Sequence, residues 1–311
     1  MERVVIYHSA DLDGWMSAAI VKYFWKNTCN WAGDTLNFIG YNYGDAIPDL
    51  SKYDKVIMCD ISFPVEKMYE IYDKLLWIDH HISAIKSVDY TTKGLRDTNF
   101  SACELTWKYF FPNEIMPEII RLLGLYDSFR HKDTDEEFKV LEFQYGARAF
   151  IKNYEDAYAM LIEELIETTS SIVDRLHLQG LSIYKYLCTE AKQIYKNGFT
   201  INFLEYKEDI KVDPWNSKKG TNVVRKFICI NRERFNPINF GINYHDEGYD
   251  GCSCFCYANG KWNFSLYNDN EEVDCSVIAK QYGGGGHKGA SGFVCDNETF
   301  LNIINNEINK I

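Results

Sequence analysis

A rhythm of short, largely apolar runs constrains the fold of this chain more than any other feature. Val4-Val5-Ile6-Tyr7, Leu36 to Ile39, Val56 to Cys59 and Leu75 to Ile78 read as strands, with helix-like stretches between most of them. Gly14 to Trp25 carries helical spacing, with Ala18, Ala19 and Val21 on its apolar side. Strands alternating with helices in this way predict an N-terminal open, mainly parallel α/β sheet with flanking helices. From about Ser101 to Asn197 the strand signals fade, and patterns such as Leu161-Ile162-Leu165-Ile166 predict helices that end at Asn197-Gly198. Strand-like segments then return at Phe199 to Leu204, Val223 to Ile230, Cys252 to Tyr257 and Trp262 to Tyr267, with Asn259-Gly260 as a hairpin signal between the last two. A helix over Val273 to Gln281, a glycine run and a helix near Thr299 to Ile308 complete the pattern. The expected architecture is therefore an N-terminal α/β domain over residues 1–180, a helical connector over 181–198 and a smaller C-terminal α/β domain over 199–311, with the active site in the cleft between the domains.

Composition narrows the function classes. A chain of 311 residues that is 46% hydrophobic has material for about two cores. A formal charge of −12 argues against a protein that coats long nucleic acids electrostatically. No apolar run approaches the ~18 residues of a membrane span. The opening Met1-Glu2-Arg3-Val4-Val5 leads straight into a strand rather than a cleavable leader. With no leader, the 10 cysteines do not suggest a disulfide framework, and a soluble, reduced, cytoplasmic protein is expected.

The carboxylates are not scattered. The first run ends at His8 and continues into Asp11-Leu12-Asp13-Gly14, the third ends at Asp60, and the fourth at Asp79-His80-His81. In an open α/β sheet, ligands bind beyond the carboxyl ends of the strands, so these clusters are expected to converge there. Asp127, at the end of a helical segment, is a further candidate. Each residue alone has an ordinary alternative, such as a turn or helix cap for Asp11-x-Asp13. Gathered together, however, the carboxylates would repel one another unless a cation were present. Mixed carboxylate and imidazole donors suit Mn²⁺, Fe²⁺ or Zn²⁺ better than Ca²⁺. Two such ions about 3.5–4 Å apart are a common engine of phosphoester hydrolysis.

Near the C-terminus, Gly283-Gly284-Gly285-Gly286-His287-Lys288-Gly289-Ala290-Ser291-Gly292 offers backbone N–H groups, an imidazole and an ammonium to an anion. Lys218-Lys219, Arg225-Lys226 and Arg232-x-Arg234 form a basic concentration that reads either as a solvated hairpin or as a rim for a short anionic substrate. Cys252, Cys254 and Cys256 alternate and read as packing. Cys59 reads as a buried strand residue rather than a nucleophile. Aromatic residues make up 15% of the chain, and the sequence nominates none of them as a base-stacking platform.

The order Asp11-x-Asp13, Asp60, Asp79-His80-His81, Asp127 and then Gly-Gly-Gly-His-x-x-Ala-Ser-Gly resembles the DHH phosphoesterase superfamily with its DHH-associated C-terminal domain. This group includes RecJ exonucleases, nanoRNases, cyclic-dinucleotide phosphodiesterases and exopolyphosphatase-related proteins. Ser101-Ala102-Cys103-Glu104-Leu105-Thr106-Trp107 and Ser265-Leu266-Tyr267 point to the exopolyphosphatase-related branch. The resemblance spans Val4 to Phe293. It implies two Mn²⁺ ions, one held by His8, Asp11 and Asp60 and the other by Asp13, Asp60, His80 and Asp127. It further implies that His81 faces the scissile phosphate and that Asp79 orients a histidine. Gly284, Gly285, Gly286, His287, Lys288, Ser291 and Arg225 would contact the substrate. His8 precedes Asp11 by three residues where many members have four, and Tyr267 stands where nanoribonuclease-like members carry arginine. The resemblance implies a metal-dependent phosphodiesterase or exonuclease acting on short oligonucleotides or small phosphorylated nucleotides, and homodimers are plausible for the family. Cyclic dinucleotides and polyphosphate are alternative substrates, and a non-catalytic nucleotide sensor is a rival of another class.

Overall fold

The computed structural model describes residues 1–28, 33–88, 91–166, 171–208, 220–269 and 272–305. The chain divides into two compact units, Met1–Tyr184 and Lys185–Ile311.

In the first unit, β1 (Glu2–His8), α1 (Leu12–Thr28), β2 (Thr35–Tyr41), β3 (Lys55–Cys59), α2 (Val65–Glu70), β4 (Leu75–Ile78) and α3 (Ile82–Ser87) alternate as expected. Among the described residues the sheet has four strands in the order β2-β1-β3-β4. All are parallel, with Val4 beside both Asn37 and Val56, and Val56 beside Leu75. Residues alternate between the faces of a strand, so central β1 must be apolar on both. Val4 and Ile6 pack with Met58 and Trp77 against Met68 of α2 and Ile85 of α3. Val5 and Tyr7 pack with Ile78 against Ala18 and Val21 of α1.

The helical region follows as α4 (Ala102–Phe110), α5 (Glu118–Asp127), α6 (Glu137–Phe150), α7 (Tyr154–Ile166) and α8 (Ile172–Tyr195). Met16 and Ile20 of α1 join a cluster with Trp107, Ile119, Phe143, Leu161 and Leu176, so α1 is shared by the sheet and the helices. The unit division falls inside α8.

The second unit holds β5 (Phe199–Glu208), β6 (Gly220–Asn231), β7 (Gly251–Ala258), β8 (Lys261–Tyr267), α9 (Cys275–Gln281), β9 (Gly285–Gly286), β10 (Ala290–Cys295) and α10 (Asn297–Ile304). Its mixed sheet runs β5-β6-β7-β8-β10-β9, with β6 and β7 parallel and the other neighbours antiparallel. The β7–β8 turn is Asn259-Gly260, with both residues left-handed at φ 54 and 78°, the conformation that a two-residue hairpin turn demands. Cys252 and Cys254 lie in a core cluster with Ile228, Ile230 and Tyr244. Lys218 and Lys219 lie outside the described residues, as does the end of the helix expected to reach Ile308. No helix among the described residues is long and apolar enough to cross a membrane.

Candidate metal centre

Because the first sheet is parallel, its strands all deliver their following residues to one edge. His8 closes β1, Asp60 follows β3, and Asp79-His80-His81 follows β4. Asp60 is left-handed (φ 60°), a conformation that aspartate tolerates better than most residues, and its N–H donates to the Ile78 carbonyl. Its carboxylate is buried, and its two oxygens face different groups. Oδ2 is 3.4 Å from His8 Nδ1, which is itself 2.8 Å from Asp11 Oδ2. Oδ1 is 3.4 Å from His80 Nε2, which is 3.3 Å from Asp127 Oδ2 and 3.8 Å from Asp13 Oδ2. His8, Asp11 and Asp60 thus make one potential metal-holding group, and Asp13, His80 and Asp127 a second, which meets the first at Asp60.

Close packing brings these groups together. A Cβ on Gly14 would come within 2.0 Å of the His8 carbonyl oxygen, so glycine there lets α1 begin against the end of β1. Asp11 caps that helix, its Oδ1 accepting from Gly14 N at 3.0 Å. The Asp13 carboxylate accepts from Ala102 N and Cys103 N, each at 2.8 Å, which seats it on the N-terminus of α4. Ser101 and Glu104 close a capping box on the same turn. Glu104, 3% exposed, also pairs with Arg130, whose Nε donates to Ser128 Oγ at 2.7 Å in the loop that follows Asp127. A Cβ on Gly124 would lie 2.4 Å from Glu104 Cδ, so α5 packs directly on this pair. Sequence reasoning missed this support. Its legible signal was Ser101-x-x-Glu104, a capping-box spacing.

Asp79 is fully buried and plays a different part. Its Oδ1 accepts from His80 N at 2.7 Å and His81 N at 3.1 Å, and lies 2.7 Å from His81 Nδ1. A carboxylate at Nδ1 fixes the Nδ1–H tautomer of the imidazole. A third potential donor grouping is Asp60, His80 and His81, where His81 Nδ1 lies 3.8 Å from Asp60 Oδ1 and 2.7 Å from Asp79 Oδ1.

The electrostatics match a site shaped for cations. Burial lowers the pKa of His8, but Asp11 and Asp60 outweigh it and raise the group to about 11. Burial likewise opposes protonation of His80, while Asp60, Asp127 and Asp13 raise it to about 11. Burial, then the Asp60 charge, pushes Asp13 up to about 7; burial and Asp13 push Asp127 well above the usual carboxylate range. Asp60 is held far below that range, since His8 and His80 overcome its burial. Three buried atoms of the cluster, His8 Nδ1, Asp60 Oδ1 and Asp127 Oδ2, have no aligned hydrogen-bond partner among the described residues. Unsatisfied nitrogen and oxygen donors at a shared focus fit divalent ions, which need those lone pairs.

Comparison with known proteins places the fold. No protein-family model matches the chain. It is 26% identical over 313 residues to an uncharacterized protein of Acanthamoeba polyphaga mimivirus, R106; the match covers 93% of this chain and 66% of that protein, a little under two thirds of its length. The pGpG-specific phosphodiesterase PggH of Vibrio cholerae superposes with a TM-score of 0.51 at 14% identity, covering 100% of this chain and 98% of that one. An exopolyphosphatase-related protein of Bacteroides fragilis superposes with a TM-score of 0.50 at 13% identity, covering 99% and 92%. At these identities the likeness is one of fold.

In the second unit the expected substrate residues do not form one set. The glycine run is partly sheet: Gly285 and Gly286 make β9, paired with Gly292 and Ser291 of β10. Gly284 packs on β10, where a Cβ would sit 2.1 Å from the Gly292 carbonyl oxygen. His287 and Lys288 stand exposed at the β9–β10 turn, and Ser291 Oγ donates to the His287 carbonyl at 2.6 Å. Arg225, expected as a substrate contact, is instead 8% exposed. Its Nε donates to buried Glu205 at 2.6 Å, Nη2 donates to the Glu272 carbonyl at 2.8 Å, and Nη1 lies 3.5 Å from Asp250. With these partners the guanidinium serves as an internal tie of the sheet.

Proposed function

We propose that this chain is a DHH-type phosphoesterase that uses two divalent ions, Mn²⁺ the first candidate, to hydrolyse short oligonucleotides or small phosphorylated nucleotides. The observation that carries this reading is Asp60, whose two oxygens face two separate His/Asp groups, the arrangement a bridging carboxylate requires. The shared fold with a pGpG-specific phosphodiesterase and an exopolyphosphatase-related protein supports it.

His8, Asp11 and Asp60 would hold one ion, and Asp13, Asp60, His80 and Asp127 the other. Bound ions supply charge neutralisation at the phosphoryl oxygens and a nucleophilic water at neutral pH. The protein's own part is positional. The α4 N-terminus fixes Asp13, and the Glu104–Arg130 pair fixes the loop beside Asp127. Burial opposes protonation of His81 but Asp79 at Nδ1 outweighs it, so the protonated ring presents Nε2–H as a donor to the phosphoryl or leaving-group oxygen. In the second unit, the β9–β10 turn with His287, Lys288 and Ser291, beside Gly284, Gly285 and Gly286, is proposed as the contact for the substrate's remaining phosphate or terminal nucleotide.

Activity is tested with Mn²⁺ against bis-p-nitrophenyl phosphate, a dinucleotide, phosphoadenosine phosphate, a cyclic dinucleotide and polyphosphate. Hydrolysis of the dinucleotide or phosphoadenosine phosphate, lost in Asp60→Asn and His81→Ala, is the expected result. Nucleotide binding without turnover of any substrate would refute the hydrolase reading in favour of a sensor.

A further inference from the structure

One aromatic side chain beside the metal centre has no part in holding it. Tyr43 follows β2, the fourth strand delivering residues to the catalytic edge. Its ring centroid is 6.3 Å from that of His8 and 6.4 Å from that of His81, with the His81 ring edge-on at 83°. It therefore stands beside a histidine from each end of the cluster. The residue is 57% exposed, and its hydroxyl hydrogen-bonds Ser62 in the segment that follows Asp60. Its place is built rather than incidental. Asn42 N donates to Asp45 Oδ2 at 2.9 Å, Asp45 N donates to the Asn42 carbonyl at 3.0 Å, and Gly44 supplies a left-handed φ of 97°. Ser9 Oγ, in the loop that follows His8, donates to Asn42 Oδ1 at 3.1 Å and ties this turn to the β1 end. A rigid turn thus presents an open aromatic face beside the residues that would hold the reacting phosphate.

We infer that Tyr43 is a specificity-determining residue that stacks on the nucleobase next to the scissile phosphate, making a nucleotidyl ester, not inorganic polyphosphate, the substrate class. The inference rests on the phosphoester reading of the metal centre. A base has a π-face to offer the ring and an inorganic phosphate chain has none, so stacking separates these two classes without any base-specific hydrogen bond.

The test titrates the Mn²⁺-loaded protein with a dinucleotide carrying 2-aminopurine, whose fluorescence is quenched on stacking, and in parallel with inorganic tripolyphosphate. Tyr43→Leu is expected to lose the quench and to lower the affinity ratio of dinucleotide to tripolyphosphate by about 5- to 100-fold. Tyr43→Phe and Tyr43→Trp, which keep a ring face, are expected to retain both. An unchanged ratio or a persisting quench in Tyr43→Leu overturns the inference, as does an equal loss for both ligands. Turnover is scored separately. If the wild type quenches and Tyr43→Leu does not, but no ester is cleaved, the hydrolase reading fails while the stacking role stands.

Discussion

Metal loading of this site should expel protons, in a number the geometry sets. Metal-free, His8 and His80 are held protonated to about pH 11 by Asp11, Asp60, Asp127 and Asp13, against their burial. An imidazole binds a metal only when neutral, so at pH 7 each must shed a proton against about four pH units, or about 5 kcal/mol. Asp127, raised well above the usual range, and Asp13, raised to about 7, add to the count. Full loading at pH 7 is therefore expected to release about two to four protons, and each ion's affinity to rise about 100-fold between pH 6 and 8 for every proton it displaces. Isothermal titration calorimetry with Mn²⁺ in two buffers of different ionisation enthalpy reads the proton number directly. The same groups make a pH-dependent contribution to the metal-free stability. The His8 and His80 contribution is complete below their unfolded value of about 6.5 and is lost as pH rises toward 11. Asp13 acts in the same direction at lower pH, since charging it in place grows unfavourable between about pH 4 and its folded value of about 7. Metal-free Tm should thus fall with rising pH while the Mn²⁺-induced increase in Tm grows. Buffer-independent heats, or affinity that rises on acidification, would refute the reasoning.

Three further outcomes test other parts of the structure. Gly124→Ala drives a methyl into Glu104 and should destabilise the protein by about 2–4 kcal/mol, from overpacking together with a disturbed capping box, as measured by urea unfolding. Asp79→Asn leaves the two donor groups in place but releases His81 Nδ1; turnover of bis-p-nitrophenyl phosphate should drop by about 10²-fold or more while the Mn²⁺-induced rise in Tm persists. Arg225→Met strands Glu205 in the second unit's sheet, and a loss of about 3–5 kcal/mol is expected in thermal unfolding, with kcat for a small diester unaffected.

The strand ends were legible because a parallel sheet maps sequence order onto one edge: an apolar run followed by Asp or His announces both the strand and what it delivers. The α4 anchor was harder to read, since Asp13 meets Ala102 and Cys103 across a separation of 89 and 90 residues and no local pattern encodes that meeting. The burial of Arg225 was not legible, because a charged residue in a basic stretch reads as surface. Its neighbour Val224 is 58% exposed while Arg225 is 8% exposed, so the strand alternation there runs opposite to the chemistry of the two side chains. The buried Glu205 partner that makes this possible sits on the neighbouring strand, 20 residues away. Low glycine strand propensity hides β9 within the glycine run, and its pairing depends on β10 lying alongside. Tyr43 follows the second strand without an acidic or histidine signal, and only the turn that holds it reveals where its ring stands.

Asp11 shows why the helix-cap and metal-ligand readings of an Asp-x-Asp turn are not rivals. A carboxylate has two oxygens and about four lone-pair sites. Asp11 uses Oδ1 to cap α1 at Gly14 and turns Oδ2 to within 2.8 Å of His8 Nδ1. Asp13 accepts two α4 N–H bonds while Oδ2 still lies on the His80 side. A ligand anchored in this way is pre-organised, so its loss has two components that one substitution confounds and a pair separates. Asp11→Asn keeps an amide oxygen to accept from Gly14, and metal-free stability should stay within about 0.5 kcal/mol of wild type. It gives up the anionic oxygen, so the Mn²⁺-induced rise in Tm should shrink. Asp11→Ala gives up both, losing about 1 kcal/mol without metal and the same share of the metal response. If Asp11→Asn binds Mn²⁺ as wild type does, Asp11 is a cap alone, and the ion nearer His8 must be held by other donors.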